Sequence, residues 1–535
     1  MTPPFVRANT MLALPDGTRL ATLVVRPQIA SPAPAVLLRT PYGKDRHLEE
    51  GLGWARHGFA FVAQDVRGRY DSDGVWEPYA AEHADGAATI AWLAEQPWCN
   101  GQVVVAGGSY AGFAAWAAAL SGHPAVCAAI VLVPAMGSHH TLFDPAGILN
   151  LADHTWWWMT YADGRAERPR LFETMYRTQP DVLSHLPVVD LAERLWADLP
   201  GWRARIEHGP DATPPYAIRD DVLAQLRIPA MHIGGWHDPF VSHTLHQWQI
   251  VGSGVTPRPA RALIIGPWTH TLDFNGATTI GARDFGPQSR LPLGRLQVEW
   301  LTRVLQAAPP NDVRVRFFVM GRNEWRHTDA WPQPTRPMAW YAASDGRLVE
   351  AVPDCAGCDS FQSDPLDPFP ARSLPVEQQD LNARADAARY LTPPLDVPLT
   401  WAGAPQITLY AATDAPGADW VVRLHEIDTA GRQIYLTHGL VDAARARGGA
   451  PLEPHAFARY NIALKPLAIS IPAGHRLCLE VASSAFPEYA RNLQTGADRY
   501  TTAETRVARQ QIGYGTALPT CLLLPVLPED GAPYA

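Results

Sequence analysis

Six short apolar runs divide the first 310 residues: PAVLLRTPYG at 34–43, GFAFVAQD at 58–65, VVVAGGSYAG at 103–112, AAIVLVPAM at 128–136, PAMHIGGWHD at 229–238 and ALIIGPWTH at 262–270. Strands apolar at nearly every position must be covered on both faces. Segments of helical spacing separate some of them, such as 79–96, where Ala87, Ile90, Ala91 and Leu93 share a side. That alternation specifies a parallel, doubly wound α/β sheet. After residue 311 the period changes to two, in VRVRFFVMG, ITLYAATDA, DWVVRLHEID, QIYLTHGLV, HRLCLEVASS and TCLLLPV, with Gly, Pro and Asp between. Short alternating strands without helices indicate an antiparallel sandwich.

Between the fourth and fifth runs the chain is rich in Trp, His, Leu and Arg and is interrupted by Pro169, Pro180, Pro187 and Pro200. It reads as a helical insertion over the carboxyl edge of the sheet. The expected organisation is a catalytic α/β domain from 1–136 and 225–310, a helical cap at 137–224, and a β-sandwich of jelly-roll type at 311–535. Residues 352–390, rich in Pro and Asp, read as a surface loop.

Composition narrows the function. At 47% apolar and 18% charged, the chain is a folded protein, and a net charge of −9 argues against nucleic acid as partner. No uncharged apolar stretch reaches the roughly 18 residues of a membrane span. The start, MTPPFVRANTMLALPDGTRLA, lacks the basic head and apolar run of an export signal. A cytoplasmic protein with reduced thiols is expected. Its cations are arginines except Lys44 and Lys465, which with the abundant Ala and Pro suggests GC-rich bacterial coding. Cys355 and Cys358 form a single CxxC, short of the four ligands of structural zinc. No metal and no cofactor are expected.

The sharpest motif is Ala106-Gly107-Gly108-Ser109-Tyr110-Ala111-Gly112, set between the strand VVV and the helix FAAWAAAL. A tight strand-to-helix turn of this kind exposes a serine oxygen at the top of a sheet. The second glycine comes one place late, giving GxSxxG, and an ordinary strand–helix turn remains the alternative. A serine nucleophile needs a general base and an acid to orient it. The required order of serine, acid and histidine, each after a strand, is met by Ser109, Asp238 after AMHIGGWH, and His270 after ALIIGPWT. For Asp238 alone, a helix cap is an equal alternative.

In these strings the chain resembles the serine hydrolases grouped with cocaine esterase, glutaryl acylases, α-amino-acid ester hydrolases and X-Pro dipeptidyl peptidases. The resemblance rests on RTPYGK at 39–44, DVRGRYDSDG at 65–74, PWCNGQVVVAGGSYAGF at 97–113, GGWHDPF at 234–240 and GPWTH at 266–270. It continues in TDAPGADWVVRLHEID at 413–428 and AGHRLCLEVASSAFPEYARN at 473–492. It covers the cap and the 352–390 loop poorly. It implies an α/β-hydrolase fold, with Ser109 as nucleophile, Asp238 as acid and His270 as base. It also implies an oxyanion hole from the Tyr42 hydroxyl and the backbone N–H of Tyr110, and a structural, ion-paired role for Asp65, Arg67, Asp71 and Asp73.

The cap should set the substrate. Trp156, Trp157 and Trp158 cannot all face one way on a helix, so at least one packs inward and one or two line an acyl pocket, with Phe240 as a further wall. Asp144, Asp153 and Asp163 are candidate amine-binding carboxylates, but the early cap has no paired acidic motif. The expected activity is hydrolysis of a small-molecule acyl ester or amide through an acyl-serine. X-Pro dipeptidyl peptidase, α-amino-acid ester hydrolase and acyltransferase are the alternatives, and a carbohydrate-binding module is the remote one. Membrane and nucleic-acid partners are not expected; a homo-oligomer is compatible with the sequence.

Overall fold

The computed structural model describes residues 5–528 apart from 163, 198, 200, 273–275, 307–311, 372–376, 378–380 and 382. The catalytic sheet contains β1 (Phe5–Ala13), β2 (Arg19–Pro27), β3 (Ala33–Thr40), β4 (Ala60–Asp65), β5 (Cys99–Gly108), β6 (Val126–Leu132), β7 (Ala230–His237), β8 (Arg261–Thr269), β9 (Val313–Val319) and β10 (Glu324–Thr328). Its order is β1-β2-β4-β3-β5-β6-β7-β8-β9-β10. The run from β4 to β9 is parallel, and antiparallel strands close both edges. The apolar runs are buried because helices cover both faces. On one side lie α1 (Leu48–Arg56) and α5 (Leu293–Leu305), on the other α2 (Glu82–Ala94), α3 (Tyr110–Ala119) and α4 (Val241–Ile250). All ten residues of α3, YAGFAAWAAA, are buried. A helix apolar all round has to be interior, and small side chains let α2 and the sheet close on it.

The β9 strand corrects a sequence expectation. VRVRFFV, which by its alternation reads as a sandwich strand, pairs in parallel with β8, Val313 opposite Arg261. Its period-two pattern comes from Arg314 and Arg316 on a strand beside the sheet's edge. The second sheet begins at Arg336–Ala343 and ends at Cys521–Val526, and it is thirteen-stranded and almost wholly antiparallel. The segment read as a surface loop at 352–390 contains two strands. Gly357–Ser363 pairs with Ala508–Tyr514, and Ala387–Leu391 with Arg476–Ala482. Outward-facing Ser360 and Gln362 hid the first of them, and the second is only five residues long. Among the described residues no helix is long and apolar enough to cross a membrane.

The chain between β6 and β7 forms short helices, among them Leu151–Trp157, Leu171–Thr178 and Trp202–His208, around a small apolar core. The β-rich domain holds this cap in place. Tyr500 donates from its hydroxyl to the Gly147 carbonyl at 3.2 Å and accepts from the Leu149 N–H at 3.1 Å. The Ala490 N–H donates to the Leu149 carbonyl at 2.9 Å, and Ala152 N–H to that of Pro487 at 3.1 Å.

Beneath the carboxyl edge of the sheet lies a buried ion pair. Arg39, at the end of β3 and 2% exposed, donates to the Glu82 carboxylate at 2.6 Å and to Gln64 Oε1 at 2.9 Å. Glu82 also accepts the Tyr110 hydroxyl at 2.8 Å. Removing one partner leaves a buried charge uncompensated. Arg39→Met is therefore expected to lower unfolding stability by about 3–5 kcal/mol in denaturant titration, far more than Arg19→Met, which loses only an exposed pair with Asp73. Equal losses would show that the buried network carries no special weight.

Candidate active site

Four loops at the carboxyl ends of parallel strands converge, the usual ligand position in such a sheet. After β5 the chain enters α3 through Ser109, whose φ of 56° and ψ of −122° are strained for a non-glycine residue. The strain is held by hydrogen bonds. The Ser109 N–H donates to the Leu132 carbonyl at 2.9 Å, and the Ser109 carbonyl accepts from Gly112 at 3.0 Å and Ala135 at 3.1 Å. The flanking glycines are required by close approach. A Cβ at Gly107 would lie 2.4 Å from the Ala111 carbonyl oxygen, and one at Gly112 2.9 Å from Pro134 Cβ. The late second glycine of GxSxxG is thus the one that lets α3 pass the segment after β6.

After β7, Asp238 points to the loop after β8. Its Oδ1 lies 2.7 Å from His270 Nδ1. The carboxylate is fully buried, the imidazole partly open. Asp238 is not a helix cap: the residue before α4 is Phe240, and it makes no side-chain cap. Burial disfavours protonation of His270, but the charge and hydrogen bond of Asp238 outweigh it and hold the imidazole above its ordinary value, with a smaller contribution from Asp153. Phe240 presents its ring to His270 edge to face at 5.1 Å and stacks on His243 at 5.2 Å.

The loop after β3 brings Tyr42 over Ser109. Burial drives the Tyr42 phenol well above its usual range, against hydrogen bonds from the Trp157 indole and Ser109. The Trp157 Nε1–H donates to the Tyr42 hydroxyl at 3.2 Å. With its oxygen already accepting, the hydroxyl can turn its own proton toward the serine. Lys44 anchors this loop: its N–H donates to Asp65 Oδ1 at 2.6 Å and its Nζ to Asp71 Oδ2 at 2.5 Å. Arg67 binds Asp85 through two nitrogens, at 3.0 and 2.7 Å, and Arg19 binds Asp73 at 2.7 Å. The acidic run after β4 is therefore a set of ion pairs. Among the described residues no cluster fit to hold a metal occurs. The Tyr110 side chain points into the core, where its hydroxyl bonds Glu82 and accepts from the Tyr79 N–H at 2.8 Å. Its backbone N–H, first in α3, has no acceptor within the helix.

A cavity of about 860 Å³ is lined by Tyr42, Ser109, Trp156, Trp157, Tyr161 and His270, among others. The two other aromatic residues expected in the wall are placed elsewhere. Trp158 is 1% exposed in the core of the cap, with the Arg205 guanidinium 4.8 Å from its ring. Phe240 packs on His270 and is not part of the cavity lining. Trp156 is at the rim, its indole donating to Glu173 at 3.0 Å. Of the cap carboxylates, Asp144 is occupied by a turn, accepting the N–H groups of Ala146 at 2.9 Å and Ile148 at 3.0 Å, and burial pushes it up to about 7. Asp153 lies within electrostatic reach of His270 and Lys465, while desolvation pushes its carboxyl up. Asp163 lies outside the described residues. Glu82 went unnoticed in the sequence, where an acidic residue in the first turn of a helix reads as a dipole partner.

Residues 16–272 match the family described as X-Pro dipeptidyl-peptidase (S15 family), and 306–518 the X-Pro dipeptidyl-peptidase C-terminal non-catalytic domain. The chain is 29% identical to the cocaine esterase of Rhodococcus sp. (strain MB1 Bresler), over 98% of both chains. Two solved structures share its fold. An aminopeptidase from a marine sediment Thaumarchaeota archaeon has a TM-score of 0.85 at 23% identity, covering 98% of this chain and 97% of that one. An α-amino acid ester hydrolase has a TM-score of 0.84 at 23% identity with the same coverage.

The His270–Asp238 pair has a measurable signature. By NMR, the His270 imidazole should titrate above the ordinary histidine value of 6.5, and Asp238→Asn should lower its midpoint. The raised value means that this pair's stabilisation is complete below the unfolded-state value and fades as pH rises through the folded one. A midpoint below 6.5 in the wild-type protein, or one indifferent to Asp238→Asn, would contradict the geometry.

Proposed function

With an S15 catalytic domain and its companion C-terminal domain in one chain, the protein belongs to the cocaine esterase and X-Pro dipeptidyl-peptidase family of serine hydrolases, and from that premise we propose that it cleaves small acyl esters or amides through an acyl-Ser109 intermediate. The observation that carries the reading is the 2.7 Å His270–Asp238 pair opening onto the same cavity as the strained Ser109 turn. His270 Nε2 takes the Ser109 hydroxyl proton as Oγ bonds to the substrate's carbonyl carbon. The carbonyl π pair moves to oxygen, where the Tyr42 hydroxyl and the Tyr110 N–H donate to it. Collapse breaks the bond to the leaving alcohol or amine, which receives the proton from His270. Water then repeats the sequence on the acyl-serine and releases the acid. Asp238 fixes the imidazole tautomer and stabilises the imidazolium.

The mostly apolar, aromatic-rimmed cavity supports apolar acyl groups, and nothing in the scheme calls for a metal or cofactor. All six cysteines are unpaired, which supports a reducing compartment such as the cytoplasm. A second reading, acyl groups bearing an amine, rests on Asp153, which acts electrostatically on His270 but is not in the cavity lining. It requires Asp153→Asn to lower kcat/KM for amino-acid esters more than for their desamino analogues.

Ser109→Ala should abolish both turnover of aryl esters and labelling by a fluorophosphonate, with the fold retained. Persistent wild-type turnover in that variant would sink the reading. Tyr42→Phe removes one oxyanion donor at nearly constant volume, and kcat should fall by about 10²–10³ with a smaller change in KM. An unchanged kcat would reduce Tyr42 to a packing residue. Exhaustive chelation should leave turnover intact.

A further inference from the structure

The cavity over Ser109 extends beyond the cap. It continues over Leu38 and Leu132 of the sheet, past Val133 just beyond β6, and between α1 and α5, where exposed Glu50, His57 and Arg295 form its outer rim. Each of these helices contributes a glycine to the lining, Gly53 from α1 and Gly294 from α5. Glycine is a poor helix residue and needs a reason to be there. Backbone conformation supplies none, since neither has a positive φ. Packing supplies none either, because a Cβ at Gly53 or Gly294 would meet no heavy atom within 4 Å. Gly51, on the same helix, shows the contrast: a Cβ there would lie 2.8 Å from Phe61 Cδ1. Among the described glycines, the two with neither a positive φ nor a close neighbour to explain them are the two that border the passage.

We propose that the cleft between α1 and α5 is a binding channel for an extended alkyl chain, the acyl or the alcohol arm of the substrate, and that Gly53 and Gly294 set its bore. Its inner walls are mostly apolar, with Leu38, Trp54, Leu132 and Val298 beside one buried amide, Gln297, while the charged Glu50 and Arg295 stand at the rim. A volume of about 860 Å³ is in the upper part of the range that holds small organic ligands, about 300–1,000 Å³. A flexible chain that leaves the reacting carbonyl at Ser109 and runs outward over the sheet face would bury its methylenes along this wall. This rests on Ser109 being the nucleophile.

The test uses the full-length enzyme with two substrate series: p-nitrophenyl esters from acetate to dodecanoate, and acetate esters of alcohols from ethyl to decyl. Gly53→Leu and Gly294→Leu, with Gly53→Ala as a milder narrowing, are compared with wild type after titration of the active serine with a small fluorophosphonate. In one series the wild-type kcat/KM should rise with chain length. In that series the leucine variants should lower the long-to-short ratio at least tenfold, and Gly53→Ala by less. Melting temperatures should stay at or above wild type, since each change improves helix propensity. The responding series tells whether the acyl or the alcohol arm occupies the channel. Ratios unchanged in both series, or equal losses for short and long chains, overturn the channel while leaving the hydrolase reading intact. A wild-type enzyme that the fluorophosphonate does not label overturns the hydrolase reading instead.

Discussion

The site depends on charge buried beneath it. Arg39 on β3, Glu82 on α2 and Tyr110 on α3 form one hydrogen-bonded chain directly under the turn that carries Ser109. Two charges removed from water are stabilised only if their geometry is good and their remaining polar atoms are engaged. Here Gln64, the Glu82 carbonyl and the Tyr79 N–H complete much of that engagement. The network fixes the first residue of α3 against both the sheet and α2. The strained backbone at Ser109 can then be held in place instead of relaxing.

The same logic repeats in the loop that carries Tyr42. Lys44 is almost fully buried and bonds Asp65 and Asp71 through its backbone and side chain. The phenol is then aimed from above by the Trp157 indole. Trp157 itself stacks near Tyr110 and Tyr79, at centroid distances of 6.3 and 6.4 Å. One aromatic layer thus joins the cap to the nucleophile turn. Since the β-rich domain grips the cap through Tyr500 and Ala490, the position of one hydroxyl over Ser109 depends on all three parts of the chain.

His270 is supported in the same way from two sides. Asp238 holds its Nδ1, and the edge-to-face contact with Phe240 limits rotation of the ring. The cavity can be wide because its supports lie behind the reacting side chains, in the core. Its breadth between α1 and α5 costs those helices two glycines and leaves the reacting groups fixed.

The parallel sheet, the strand–turn–helix at Ser109 and the loops that carry Asp238 and His270 were all readable in the sequence. Each is written in local order: apolar runs of strand length, glycines at close approaches, polar residues at strand ends. Where local order was ambiguous, the reading missed. VRVRFFV alternates like a sandwich strand, yet parallel pairing with β8 joins it to the first sheet. Three consecutive tryptophans have no local signal to say which indole meets the site. Contacts far away in sequence decided it: Trp158 went to the cap core beside Arg205, Trp156 to the rim, and Trp157 to the Tyr42 hydroxyl. The sequence determined which residues reach the carboxyl edge of the sheet, because periodicity and turn chemistry act over a few positions. Only the tertiary structure decided what those residues face and how wide the space between them is. Side-chain direction and cavity shape are set by packing between segments that the chain order keeps apart.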